Sequence, residues 1–161
     1  AGAFGMSEDL NQRVVESLHL EHIDVGGVGG TLAGNALSMA AMRATLTEVL
    51  TPSAFRHMED LCTEWTSDVQ EIIDKYQAPW QVSQLGCRAE YSFRPSAPRT
   101  GREAADADDF ELQQYLHLHA LNRGILMTPF HNMALMSPAT SSEDVKRHTS
   151  HFEAAVAALF G

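Results

Sequence analysis

The side chains able to do chemistry are few, and their spacing is informative. Eight histidines invite a metal hypothesis. His117 and His119, two positions apart, would point to opposite sides of a helix, which is poor for chelation. His148 and His151 have workable helical spacing but no acidic or cysteine partner in a recognisable ligand pattern. His148 also falls on an apolar stripe and reads as a core histidine, so no metal site is expected. His131, in Thr128-Pro129-Phe130-His131-Asn132, is the histidine best placed to contact a ligand, with Asn132 beside it. Lys75 and Lys146 are the only lysines. One falls near the end of an amphipathic helix and the other in the first turn of the last helix. Neither context would lower a lysine pKa enough to make a nucleophile. No nucleophile elbow or Cys/His signature occurs, so no catalytic residue is expected in this chain.

Two other groupings could bind rather than react. Gly26-Gly27-Val28-Gly29-Gly30-Thr31-Leu32-Ala33-Gly34-Asn35 opens directly into an apolar helix. A glycine loop entering a helix presents unpartnered backbone N–H groups and the positive end of the helix dipole, which suits a phosphate. No lysine follows the last glycine and no dinucleotide fingerprint surrounds it, so a purely structural turn stands beside that reading. The second grouping is arginine. Arg94 and Arg99, with Arg102, crowd a Pro- and Gly-containing loop that could hold a carboxylate or simply be solvated. Arg88 alternates with Glu90 on one face of a strand, which permits either a polar pair or a binding role.

The elements that must carry these residues follow from periodicity. Ser7 caps a helix running to about Leu18, with Val14, Val15 and Leu18 on its buried face. Ala36 to Leu50 is a helix with two apolar faces, to be buried against close neighbours or a second subunit. Thr51-Pro52 starts a new helix. Phe55, Met58, Cys62, Trp65, Val69, Ile72 and Tyr76 recur along it at spacings of three and four. Trp80–Val82 and Cys87–Phe93 read as strands around Gly86, with Cys87, Ala89, Tyr91 and Phe93 sharing a face. A helix from the acidic stretch Ala104–Asp109 ends at Gly124. Ile125–Met127 and Met133–Met136 read as two short strands. Thr140-Ser141-Ser142-Glu143 is a capping box for the final helix, whose stripe is Val145, His148, Thr149, Phe152, Val156 and Leu159. Helices mixed with short strands and joined by short loops give an α+β sandwich.

Composition bounds the function. The 161 residues are 44% hydrophobic and 20% charged, which is a globular rather than a disordered chain. A formal net charge of −10 argues against nucleic acid or an anionic membrane as partner. No apolar run is long enough to span a bilayer. Cys62 and Cys87, with no CxxC, are expected to be reduced and buried in a cytoplasmic protein, with a disulfide as the alternative. Ala1-Gly2-Ala3-Phe4-Gly5 has no Met start and reads like the middle of a strand, so the chain is expected to be a fragment.

Gly29-Gly30-Thr31-Leu32-Ala33-Gly34-Asn35-Ala36-Leu37-Ser38-Met39-Ala40-Ala41 resembles a stretch of the class III aminotransferases, nearest to the branch containing glutamate-1-semialdehyde aminomutase. Ala1–Gly5 resembles the strand after that family's cofactor-linked lysine. Asn122–Met127 and Ser141–Val145 resemble its C-terminal domain. The resemblance covers the whole chain in family order, specifically in the Gly-Thr-x-x-Gly-Asn core and loosely in the middle.

The resemblance implies a homodimeric pyridoxal-phosphate enzyme of the aspartate-aminotransferase-like fold (fold type I). It implies that the chain is the C-terminal portion. Residues 1–50 would end the large cofactor-binding domain with an interface loop and helix, and 51–161 would form the small domain. Thr31 would give its hydroxyl and backbone N–H to the cofactor phosphate of the other subunit, with Gly30 allowing the close approach. The family's lysine would lie before Ala1, so the isolated chain is expected to be inactive. The implied reaction moves an amino group between an amine or amino acid and a carbonyl compound. Phe130, His131 and Asn132 occupy the loop where relatives place an Arg or a carboxylate, so Arg88, Arg94 and Arg99 stand as alternative carboxylate binders. A non-catalytic dimerisation module with a structural glycine loop is the competing reading.

Overall fold

The structure is a computed structural model that describes residues 4–17, 32–128 and 131–161. The chain divides into two compact units, residues 1–50 and 51–161.

The first unit carries helix α1, Glu8–Ser17, and helix α2, Ala36–Ala44, which continues as a π-helical turn, Thr45–Val49. Ser7 Oγ accepts from the Leu10 N–H at 3.3 Å, the expected cap of α1. Asn35 caps α2: its Oδ1 accepts from the Ser38 N–H at 2.9 Å. Its side-chain amide in turn donates to the Leu32 carbonyl at 2.7 Å, folding the end of the glycine loop onto the helix start. Gly34 sits at φ +67°, a left-handed conformation that suits glycine. The helix expected over Ala36–Leu50 is thus found, with its last turn widened. Thr45 and Thr47 hydroxyls donate to the carbonyls four residues back, Ala41 and Arg43, at the junction.

The apolar faces of this unit are not covered. No described residue of 4–50 is buried, and Leu37 is 81% exposed. The cover expected for this helix, close neighbours or a second subunit, is not supplied by the described residues of this chain. Val15 of α1 is likewise exposed and Val14 only half-buried. Ala1–Ala3, His19–Thr31 and the expected helix end at Leu18 lie outside the described residues, and Phe4–Gly5 form no strand.

The second unit holds the core. Helix α3, Pro52–Lys75, starts with Thr51 Oγ1 accepting from the Ala54 N–H at 3.2 Å and proline in its first turn. It buries Met58, Leu61, Cys62, Trp65, Val69, Ile72 and Ile73, which is the expected stripe widened by Leu61 and Ile73. Phe55, at the stripe's start, is 44% exposed.

Strands β1, Gln81–Leu85, β2, Arg88–Ser92, and β3, Met133–Leu135, form an antiparallel sheet in that order. Gly86, at φ +58°, turns β1 into β2. Tyr91 pairs with Val82, and Ala89 with Gln84 and Ala134. Alternation along β2 buries Ala89 and Tyr91 and leaves Arg88 exposed and Glu90 half-buried on the other face, as expected. Ile125–Met127 is not a strand. Gly124, at φ +76°, and the Ile125 N–H, bonded to the Ala120 carbonyl at 3.0 Å, close the preceding helix instead.

The expected single helix after Ala104 is two. A short α4, Gly101–Ala105, precedes α5, Phe110–Leu121. Asp109 breaks them apart, its Oδ1 accepting from the Leu112 N–H at 3.0 Å as a fresh cap. Helix α6, Ser142–Phe160, packs against α3 and α5. Its capping box is Ser141 with Asp144 rather than one ending at Glu143: Asp144 Oδ2 accepts from the Ser141 N–H at 2.9 Å, and Ser141 Oγ from the Asp144 N–H at 3.2 Å. Val145, His148, Thr149, Phe152, Ala155 and Val156 are buried along it, whereas Leu159 is 43% exposed in the last turn. The aromatic rings of Trp65, Trp80, Tyr91 and Phe152 form the centre of the unit. Among the described residues, no helix is long and apolar enough to cross a membrane.

Candidate functional site

The glycine loop and the second unit carry separate parts of the candidate chemistry. Gly30 and Thr31 lie outside the described residues. The turn after them, Leu32–Gly34, delivers Asn35 as the cap of α2, and the cap satisfies only the Ser38 N–H. The N–H groups of Ala36 and Leu37 have no acceptor among the described residues. A glycine turn feeding a helix start with such open N–H groups fits a phosphate placed against the preceding loop.

In the second unit, two expected ligand contacts share one loop. His131 Nδ1 stands 3.8 Å from Glu90 Oε1, and Arg88 Nη2 donates to Glu90 Oε2 at 3.0 Å. The alternation of β2 puts Arg88 and Glu90 on its solvent side, and the loop before β3 brings His131 over them. Glu90 therefore joins Arg88 and His131 into one half-exposed polar group. Arg94 and Arg99 go elsewhere. Arg94 Nη1 donates to the Glu103 carbonyl at 3.1 Å, and the Arg99 N–H donates to Glu103 Oε2 at 2.8 Å, fastening their loop to α4. The structure thus joins His131 to Arg88 through Glu90, places the buried Asn132 on the cavity side of the same loop, and fastens Arg94 and Arg99 elsewhere.

Behind His131 lies a cavity of about 270 Å³ between α5 and α6. Tyr91, Phe110, Leu116, Ala120, Phe152 and Ala155 give it apolar walls. Its polar lining includes Asn132, His117, His119, His148 and His151, and no Asp, Glu, Lys or Arg side chain lines it among the described residues. Asn132 and His148 are only 8% and 7% exposed. His148 Nδ1 accepts from the Trp65 indole N–H at 2.8 Å. Indole is only a donor, so His148 must be the neutral tautomer with its proton on Nε2. Burial, with His151 nearby, pushes the His148 pKa down to about 4. Burial, Arg123 and His151 push His119 down as well, and its Nε2 is buried without a hydrogen-bond partner among the described residues.

Sequence reasoning placed His148 in the core but missed this cavity. The available signal was α5 itself, whose apolar residues from Phe110 through Leu121 are spread around the helix among Glu111, Gln113, Gln114, His117 and His119 rather than gathered on one stripe. Among the described residues no cluster of three His, Cys, Asp or Glu side chains is placed to hold a metal. Lys75 is exposed and paired with Glu153, which raises its pKa by hydrogen bonding and charge, the reverse of what a lysine nucleophile needs. Both cysteines are free, and burial pushes the Cys62 thiol up to about 11.

No family model matches the chain. Similar proteins are nonetheless consistent in kind. Glutamate-1-semialdehyde 2,1-aminomutase 2 of Geobacillus thermodenitrificans is 27% identical over 161 residues, covering 99% of this chain and 36% of that protein. Glutamate-1-semialdehyde 2,1-aminomutase of Thermus thermophilus is 32% identical over 121 residues, 73% of this chain and 28% of that protein. Among solved structures, a point variant of a glutamate-1-semialdehyde-aminomutase from Pseudomonas aeruginosa PAO1, in complex with PMP, superposes with a TM-score of 0.84 at 43% identity. It covers 95% of this chain and 35% of that one. A β-phenylalanine aminotransferase from Variovorax paradoxus, 24% identical with a TM-score of 0.72 over 81% of this chain and 30% of that one, shares the fold. The chain spans about a third of the length of the relatives it matches. Its homologues are the glutamate-1-semialdehyde 2,1-aminomutases, class III pyridoxal-phosphate aminotransferases, and its fold is part of their fold type I architecture.

Proposed function

We propose that this chain is the C-terminal portion of a pyridoxal-phosphate aminotransferase or aminomutase. The whole protein would move an amino group between an amine or amino acid and a carbonyl compound. The observation that carries the reading is the likeness, over 95% of the chain at 43% identity, to an aminomutase crystallised with PMP. When bound, the cofactor supplies the electron sink that labilises bonds at the amino-bearing carbon. The residues here do the holding. Thr31 gives its hydroxyl and backbone N–H to the phosphate, and Gly30 leaves room for the approach. The Asn35-capped start of α2 adds the positive end of its dipole.

The uncovered faces of α2 and its π-helical turn, with Leu37 and Leu46 exposed, support packing in a homodimer in which the phosphate site is shared across the interface. Residues 1–50 would then close the large domain and 51–161 form the small one. In the small domain His131, held beside Glu90, faces the substrate, with Arg88 in reach of the same group. Two reduced, free cysteines, one of them fully buried, support a cytoplasmic enzyme.

The test is Thr31→Ala in the longer protein that contains this chain. Loss of the phosphate contact should weaken cofactor retention about tenfold or more, read by dialysis and the cofactor's visible absorbance, consistent with a hydrogen bond to a charged group worth about 1.5–3 kcal/mol. Unchanged retention would sink the role given to Thr31.

A further inference from the structure

We draw no further inference here: the strongest candidate, the cavity between α5 and α6 where His119 Nε2 is buried without a hydrogen-bond partner among the described residues, carries nothing, because its lining breaks off between Thr128 and His131 at residues outside the described ones and its five histidines leave the charge of any occupant unselected.

Discussion

His148 stays neutral in the folded chain for two reasons that act together. It is buried among rings, stacked on Phe152, and its Nδ1 is committed to the Trp65 N–H. A second proton would have to enter at Nδ1, facing another donor. Its folded pKa of about 4 lies below the ordinary 6.5, so between those values the unfolded chain holds the extra proton. Stability is therefore fully present above pH 6.5 and falls as the pH drops toward 4, by up to about 3 kcal/mol from this residue. His119 is shifted the same way and steepens the loss. In urea titrations at several pH values, His148→Leu should be about 1–3 kcal/mol less stable than the parent at about pH 7.5, because the Trp65 N–H loses its acceptor. The gap should narrow toward about pH 4.5, where the parent suffers its protonation penalty. A gap independent of pH would mean that His148 takes up its proton in the fold as readily as in the unfolded chain, against the effect of burial. That His148 is a core residue was legible from its place on the Val145–Phe152 stripe. Its partner was not, because Trp65, whose indole N–H reaches His148 Nδ1, lies 83 positions away in the sequence.

Element boundaries followed local chemistry where a cap or a glycine decided them. Thr51-Pro52, Ser141 and Gly124 each stand where the structure begins or ends a helix. The expectations fell short where competing local bonds or tertiary partners decided. Asp109 captures the Leu112 N–H and splits one expected helix into α4 and α5, while Ile125–Met127 gains no strand partner among the described residues. Asp144 takes the box position assigned to Glu143, and its pKa is lowered by its hydrogen bonds to Ser141. Ser141→Ala should therefore cost about 1 kcal/mol in thermal or urea unfolding, with Asp144→Ala also destabilising and the double variant less than additive. Full additivity would mean that the two residues do not act as a unit. The glycine loop was legible as an anion-binding candidate from its glycines and Asn35. Its apolar helix was expected to be buried against close neighbours or a second subunit, and no described residue of this chain covers it.

For the molecule as a whole, the likeness to aminomutases spans nearly the entire chain but only about a third of those proteins. The proposed division of labour rests on that span. In that proposal the chain would contribute the phosphate-side loop through Thr31 and a wall near His131, and the lysine that bonds the cofactor would belong to the rest of the protein. The two lysines present agree with that division in their chemistry. Lys75 is paired to Glu153 with a raised pKa, and neither Lys75 nor Lys146 lines the α5–α6 cavity. The most direct measurement is to load the longer protein with pyridoxal phosphate, reduce it with borohydride and map the labelled peptide by mass spectrometry. The expected result is one stoichiometric label on a lysine outside residues 1–161. A stoichiometric label on Lys75 or Lys146 would contradict it.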